Sequence, residues 1–142
     1  MGIRCTCGAM VSGTDPATSF VFIDPPEGAN GGTTHSANVC ADRLDLSTVG
    51  VVFMDTDGVG GDRSFEFNSN EIQSVLCEAM DGVCTITVIG MGMVEGETVL
   101  RQFQAVYVDG GDVTTDTALI NITGFANSSF AAVSVIALGC GL

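Results

Sequence analysis

Along most of this chain apolar and polar residues alternate, which is the period of a β-strand with one buried face. In residues 18–23 (TSFVFI), Phe20 and Phe22 fall on one side, and residues 63–67 (RSFEF) repeat the pattern. The faces of a helix repeat every 3.6 residues, so a period of two does not fit one. We therefore expect a mainly β protein.

Further segments with strand-like composition bring the expected number of strands to about eight. They are residues 37–46, 48–54, 83–93, 97–108, 115–125 and 128–138. Short strands separated by turns rich in Gly and Asp are typical of an antiparallel β-sandwich or jelly roll. We predict that architecture.

One stretch, SNEIQSVLCEAMDG, departs from the alternation. Its apolar residues fall at helical spacing: Ile72, Val75, Leu76 and Ala79. Ser69 or Asn70 is suited to cap a helix at its start, and Gly82 is suited to end one. We predict one short helix over residues 70–80, packed against the sheets.

The chain has the length of a single domain, 142 residues, and shows neither an internal repeat nor a long linker. The Gly- and Pro-rich residues 24–36 predict a long surface loop or arm. We therefore interpret residues 1–35 as an N-terminal arm with the first strand and residues 36–142 as the β-sandwich.

The charge is strongly acidic, with 17 Asp and Glu against four Lys and Arg, for a net charge of −13. Nucleic-acid binding draws on Lys and Arg to neutralise phosphates, and an anionic membrane attracts the same residues. We expect neither as a partner. The acids fit a solvated coat, an adaptation to salt, or a cation-binding surface, and the sequence does not separate these.

No apolar segment of signal-peptide length opens the chain, and no apolar run is long enough to span a membrane. If the sequence is a complete gene product, we expect release only by lysis. If it is a mature form, secretion remains open.

Six cysteines are present: Cys5, Cys7, Cys40, Cys77, Cys84 and Cys140. They fit three situations, namely buried thiols, disulfides within or between subunits, and a four-thiolate zinc site that includes Cys5 and Cys7. The helix predicted before the strand at 83–93 would turn Cys77 and Cys84 towards each other. Because chain ends are loose unless something holds them, we interpret the terminal cysteines as an assembly clasp.

Residues 55–66 (DTDGVGGDRSFE) partly follow the calcium-loop pattern of alternating Asp, a central Gly and a closing Glu. The candidate ligands are Asp55, Asp57, Asp62 and Glu66. Val59 occupies a position where an oxygen ligand belongs, and the flanks predict strands, so a β-hairpin turn explains the same letters. Asp109, Asp112 and Asp116 form a second acidic turn of this kind. We predict no cofactor, and calcium at residues 55–66 is the alternative.

Catalytic motifs are missing from the sequence. The single histidine, His35, lies in the predicted loop beside no nucleophile motif, and the chain has no lysine. Glu95 and Glu97 are a carboxylate pair that we expect to be solvated. We predict a protein that is not an enzyme.

Three functional classes remain. A compact acidic β-sandwich with a Gly-rich arm and no catalytic set resembles small virion proteins of tailed phages, such as head-decoration or cement proteins. That resemblance implies a location in the virion and a non-catalytic assembly role, with contacts to copies of itself or to a capsid lattice. We expect a homo-oligomer, as a closed ring of three, formed by the arm and the strand faces around residues 130–138.

The second class is an extracellular filament subunit. The N-terminal Cys5 and Cys7, the flexible GAMVSGTDPA stretch and the near-terminal Cys140 are similar to spore-appendage pilins, although the adjacent Cys-Cys of that family is missing. The resemblance implies disulfides between neighbouring subunits. The third class, a calcium- or glycan-binding module, requires a real site at residues 55–66.

Overall fold

The computed structural model describes residues 7–23, 26–58, 61–80, 82–110, 116–130 and 133–138. Within these ranges, the elements are nine strands and one short 3-10 turn, Leu44–Leu46. The strands are β1 Gly8–Ile23, β2 Pro26–Cys40, β3 Thr48–Asp55, β4 Phe65–Met80, β5 Val83–Val94, β6 Arg101–Asp109, β7 Thr117–Ile122, β8 Ala126–Phe130 and β9 Val133–Leu138.

The strands form one antiparallel sheet that closes on itself as a barrel. Each strand from β1 to β7 pairs with the next along the chain, and β8 returns to β1 through the pairs Val21–Asn127 and Phe22–Ala126. β9 pairs with the opposite end of β1, from Gly8 to Gly13. The mainly antiparallel β structure is confirmed. The single closed sheet differs from the two stacked sheets expected of a sandwich or jelly roll.

The prediction of a helix over residues 70–80 is wrong, because those residues belong to strand β4. The register of β4 against β5 shifts twice, between Ser69 and Glu71 and between Ile72 and Ser74. Each β-bulge adds a residue and displaces the inward-facing positions. Buried Ile72 and Val75 are therefore three residues apart, which imitates the spacing of a helix.

Residues 26–36, predicted as part of a surface loop, form most of β2 instead. Small inward-facing residues of this strand, such as Ala29 and Gly31, let neighbouring strands approach closely. At Gly31, a Cβ atom would overlap the carbonyl group of Met54 on β3. The glycines of this segment therefore serve close strand packing and do not mark a loop.

Phenylalanine side chains fill the barrel interior. Phe20 lies 4.9 Å from Phe53 and 5.1 Å from Phe65 between ring centroids. Farther along, the Phe67 and Phe103 rings lie over Gly92 and Gly90 of β5, where a Cβ would contact them. Glycines beneath aromatic rings let large side chains occupy the space against the strand.

We predict that Gly31→Ala lowers the free energy of unfolding by about 1–3 kcal/mol, the usual cost of overpacking. Gly28→Ala in the same strand is the matched control, since its Cβ would meet its nearest neighbour at 3.9 Å, an ordinary contact. Denaturant unfolding of the two variants measures the difference. Equal effects would show that the approach of β2 to β3 is not tight.

Candidate functional site

The four cysteines within the described residues lie at one end of the barrel, which we call the cysteine end. Cys7 precedes β1, Cys40 ends β2, Cys77 lies near the end of β4, and Cys84 lies at the start of β5. The antiparallel order brings these strand ends together. Cys5 and Cys140 lie outside the described residues.

A disulfide joins Cys7 to Cys77, with 5.9 Å between their Cα atoms and 70 residues between them in sequence. Cys7 directly precedes β1 and Cys77 lies in β4, and these two strands are not neighbours in the sheet order. The Cys7 carbonyl also accepts a hydrogen bond from the Ala41 N–H at 2.8 Å. The disulfide therefore links the beginning of β1 to β4 across this end of the barrel.

The other two described cysteines carry thiols in different surroundings. Cys84 is fully buried and lies opposite Ala79 in the register, whereas Cys77 lies opposite Ile86. Cys40 is half-buried. Inward-facing residues of β2, such as Ala37 and Val39, are odd-numbered, so Cys40 falls on the outer side of the wall.

The four candidate calcium ligands lie on and beside the connection from β3 to β4. Asp55 accepts hydrogen bonds from the backbone N–H groups of Asp57, Gly58 and Arg63. Within the described residues, no group of three or more His, Cys, Asp or Glu side chains is arranged to hold a metal ion. A calcium site here stays a prediction.

The other three carboxylates also accept hydrogen bonds from protein groups. Asp57 accepts from the Asn30 side chain at 3.0 Å, and Glu66 accepts from the Asn68 side chain at 2.9 Å. Asp62 accepts from the Ser64 N–H, and hydrogen bonds from Ser64 lower the pKa of Asp62. Asp55 and Asp62 organise the turn through hydrogen bonds from N–H groups two residues on, as Asx motifs do.

The second acidic turn has a role that the sequence did not reveal. Asp116, which is buried, accepts hydrogen bonds from the N–H groups of Gly110 and Val135, each at 2.9 Å. Asp109 accepts from the Ala137 N–H at 3.0 Å. These carboxylates bind one edge of β9 while β1 pairs with the other. Asp112 lies outside the described residues.

His35 lies inside the barrel on β2 and not in a loop. Its side chain is fully buried, and its Nε2 lies 2.7 Å from the Tyr107 hydroxyl oxygen. Burial lowers the pKa of His35 to about 4 and raises the pKa of Tyr107. The imidazole is therefore neutral at neutral pH and enclosed by the core. Glu95 is exposed, and Glu97 forms an ion pair with Arg101 at 2.9 Å.

The outer wall of the barrel is largely uncharged. Outward-facing positions carry charged side chains on β4, at Glu66, Glu71 and Glu78, while the described outward positions of the other strands hold neutral residues. On β5 to β8 they are Val83, Thr85, Thr87, Ile89, Met91, Met93, Gln102, Gln104, Val106, Val108, Thr117, Leu119, Asn121, Asn127 and Ser129. Asp15, beside the bulge of β1, falls on the inward-facing side of the alternation along that strand. Most of the described charge thus lies at strand ends, in turns and on β4.

No protein-family model, no curated protein and no solved structure matches this chain. Among the described residues, there is no helix with the length and apolar character needed to cross a membrane.

The buried His35 predicts a loss of stability on acidification. Its pKa is about 4 in the fold and 6.5 for an unperturbed imidazole, so between these values the unfolded chain binds more protons. We expect His35 to remove about 2 kcal/mol of unfolding free energy between pH 7 and pH 5. Denaturant titrations of the wild type and of His35→Gln at several pH values in that range measure this loss of unfolding free energy. An equally steep loss in the variant would contradict the assignment.

We predict that Asp116→Asn lowers the unfolding free energy by about 1.5–3 kcal/mol, because hydrogen bonds to a charged acceptor are lost. Glu95→Gln is the control, since Glu95 is exposed. Hydrogen exchange should show faster exchange of the Val135 amide in Asp116→Asn alone. Unchanged exchange at Val135 would show that the carboxylate does not hold β9.

Proposed function

We propose that this protein is a non-catalytic structural subunit that assembles with copies of itself on a larger particle, a virion in our leading interpretation. The observation that carries the proposal is the largely uncharged outer wall in a chain with a net charge of −13. The wall would form the contacts between subunits. The acidic turns would remain in water.

The distribution of charge supports this assignment. A protein that stays alone in solution benefits from charges spread over its surface, because they oppose association. The buried part of a protein interface is depleted of charged residues. Aliphatic side chains on this wall are also exposed, with Ile136 at 54%, Met10 at 50% and Leu119 at 41%. Both features favour a wall that packs against other subunits.

Neither nucleic acid nor an anionic membrane is part of the proposal. Of the arginines within the described residues, Arg63 pairs with Glu27 at 2.7 Å and Arg101 pairs with Glu97 at 2.9 Å. Arg43 pairs with Asp45 at 3.3 Å. These cations face carboxylates of the same chain, which leaves little positive potential for phosphates.

A disulfide-linked extracellular filament is the second candidate, and one observation favours it. The described cysteines share one end of the barrel, where Gly8 of β1 pairs with both Cys40 and Leu138. Cys5 and Cys140 are each within two residues of Cys7 or Leu138 in sequence. Among the described cysteines, Cys40 presents an outward thiol at this end, which suits a bond to a successive subunit. A ladder of covalent multimers on non-reducing electrophoresis would support the filament over the capsid role.

Sedimentation of the full chain tests the proposal. We predict concentration-dependent oligomers that increase with salt, because about 0.5 M NaCl shortens the screening length from about 30 Å at 0.01 M to about 4 Å and weakens repulsion between acidic copies. The stoichiometry tests the proposed trimer. Calcium chloride at matched ionic strength should add nothing, whereas a stronger calcium effect would favour the calcium-binding class. A monomer at all concentrations and salts would contradict self-assembly.

Two variants of equal charge locate the contact. Thr34→Glu with Leu119→Glu places two charges on the wall, and Asn70→Glu with Gln73→Glu places two on the already acidic β4. We expect the wall variant to associate at least tenfold more weakly than the control. Equal association of the two variants would show that the wall is not the contact surface.

A further inference from the structure

An apolar patch lies on the outer wall at the cysteine end, across strands β2, β1 and β9. Met10 and Ile136 are directly opposite each other in the register of β1 and β9 and are 50% and 54% exposed. In the adjacent row, Cys40 and Leu138 flank Gly8, which has no side chain. We call Met10, Cys40, Ile136 and Leu138 the Cys40 patch.

Around the patch, the wall carries uncharged side chains, and the turn that follows Cys40 carries both acidic and basic ones. Asn38 lies beside Met10, and Ser12 pairs with Ser36 and Ser134 in the next row. After Cys40 the chain turns through Asp42, Arg43 and Asp45, where Arg43 pairs with Asp45 at 3.3 Å. Arg43 is thus paired within its own chain.

The backbone of Cys40 is held in place. Its N–H donates to the Ser47 hydroxyl at 2.9 Å, and that hydroxyl lies 2.9 Å from the Arg43 carbonyl oxygen, to which it donates. Cys40 and Leu138 are not among the half-buried residues packed on the core, whereas Ala41 and Ala137 are. The thiol is thus presented on the outer side from a fixed position.

We propose that the Cys40 patch binds the same patch of a second copy about a two-fold axis, with the two Cys40 thiols facing each other. This inference rests on the proposed function and adds a two-fold contact to it, separate from the contact that would form the ring of three. In an isologous interface, a residue near the axis meets its own counterpart. A second copy is favoured because two chains of charge −13 approach with least repulsion at an uncharged surface.

A disulfide oxidant such as oxidised glutathione would make this contact covalent. The Cys40 thiolate of one copy attacks the glutathione disulfide, forms a mixed disulfide and releases one glutathione thiolate. The Cys40 thiolate of the second copy then attacks the Cys40 sulfur of the mixed disulfide and releases the second glutathione. Two thiols are oxidised to one disulfide, one glutathione disulfide is reduced to two thiols, and the two Cys40 protons pass to the released thiolates.

The test is oxidation of the full chain with glutathione disulfide, read by intact mass, non-reducing electrophoresis and peptide mapping. We expect a covalent dimer with a Cys40–Cys40 peptide. The dimer should be absent in Cys40→Ser and retained in Cys84→Ser, in which a buried thiol is removed. Adding Met10→Glu and Ile136→Glu while Cys40 is retained should lower the dimer yield at least tenfold. Leu119→Glu, on another part of the wall, should leave it unchanged.

The outcomes separate this inference from the proposed function. The proposed contact between Cys40 patches is overturned if the dimer persists in Cys40→Ser. It is also overturned if the protein stays a monomer in which Cys40 is bonded within its own chain. Wild-type protein that self-associates in sedimentation without forming the Cys40 dimer also overturns the patch but leaves the assembly role standing. Melting temperatures close to that of the wild type confirm that each variant folds. A Met10→Glu, Ile136→Glu variant that folds and still dimerises fully overturns the apolar contact.

Discussion

The hydrogen bonds of strand β1 close the sheet, and the rest of the structure depends on that closure. β1 pairs with β2 along its length, with β8 near Phe22, and with β9 from Gly8 to Gly13. Closure leaves fewer strand edges exposed, and exposed edges recruit other chains through backbone hydrogen bonds. Association between copies then falls mainly to side chains on the outside of the wall.

Closure also determines where each kind of side chain lies. The phenylalanines and the His35–Tyr107 pair fill the interior, and neutral residues cover most of the outside. Much of the charge is left to the turns, where carboxylates such as Asp55 accept backbone hydrogen bonds. The same distribution that stabilises the barrel leaves a wall with little electrostatic opposition to contact with another copy.

Where the sequence alternates without interruption, it predicted the structure well. The predicted strand at residues 48–54 lies within β3, and the one at residues 83–93 lies within β5. Local alternation is sufficient there because neither strand carries a β-bulge. β3 pairs with β2 without a register shift, and the extra residues in the β4–β5 pairing lie in β4. Mainly antiparallel β structure followed from these segments.

Long-range geometry decided the features that the sequence did not reveal. The bulges of β4 follow from its register against β5, and the strand character of Gly31 follows from its approach to Met54. Six cysteines allow fifteen complete pairings, so the Cys7–Cys77 bond was not predictable from spacing. Asp116 resembled a surface acid because its partner, the Val135 N–H, lies 19 residues away.

Hydroxyl-radical footprinting of dilute and concentrated protein reports which side chains lose solvent contact on association, so it shows whether the uncharged wall is the contact surface. Outward-facing Met10 and Ile136 should become protected in the concentrated sample. Leu46 and Val99, exposed aliphatic residues in turns, should react equally in both samples. Protection of the turn residues with no change on the wall would show that the wall is not the contact surface.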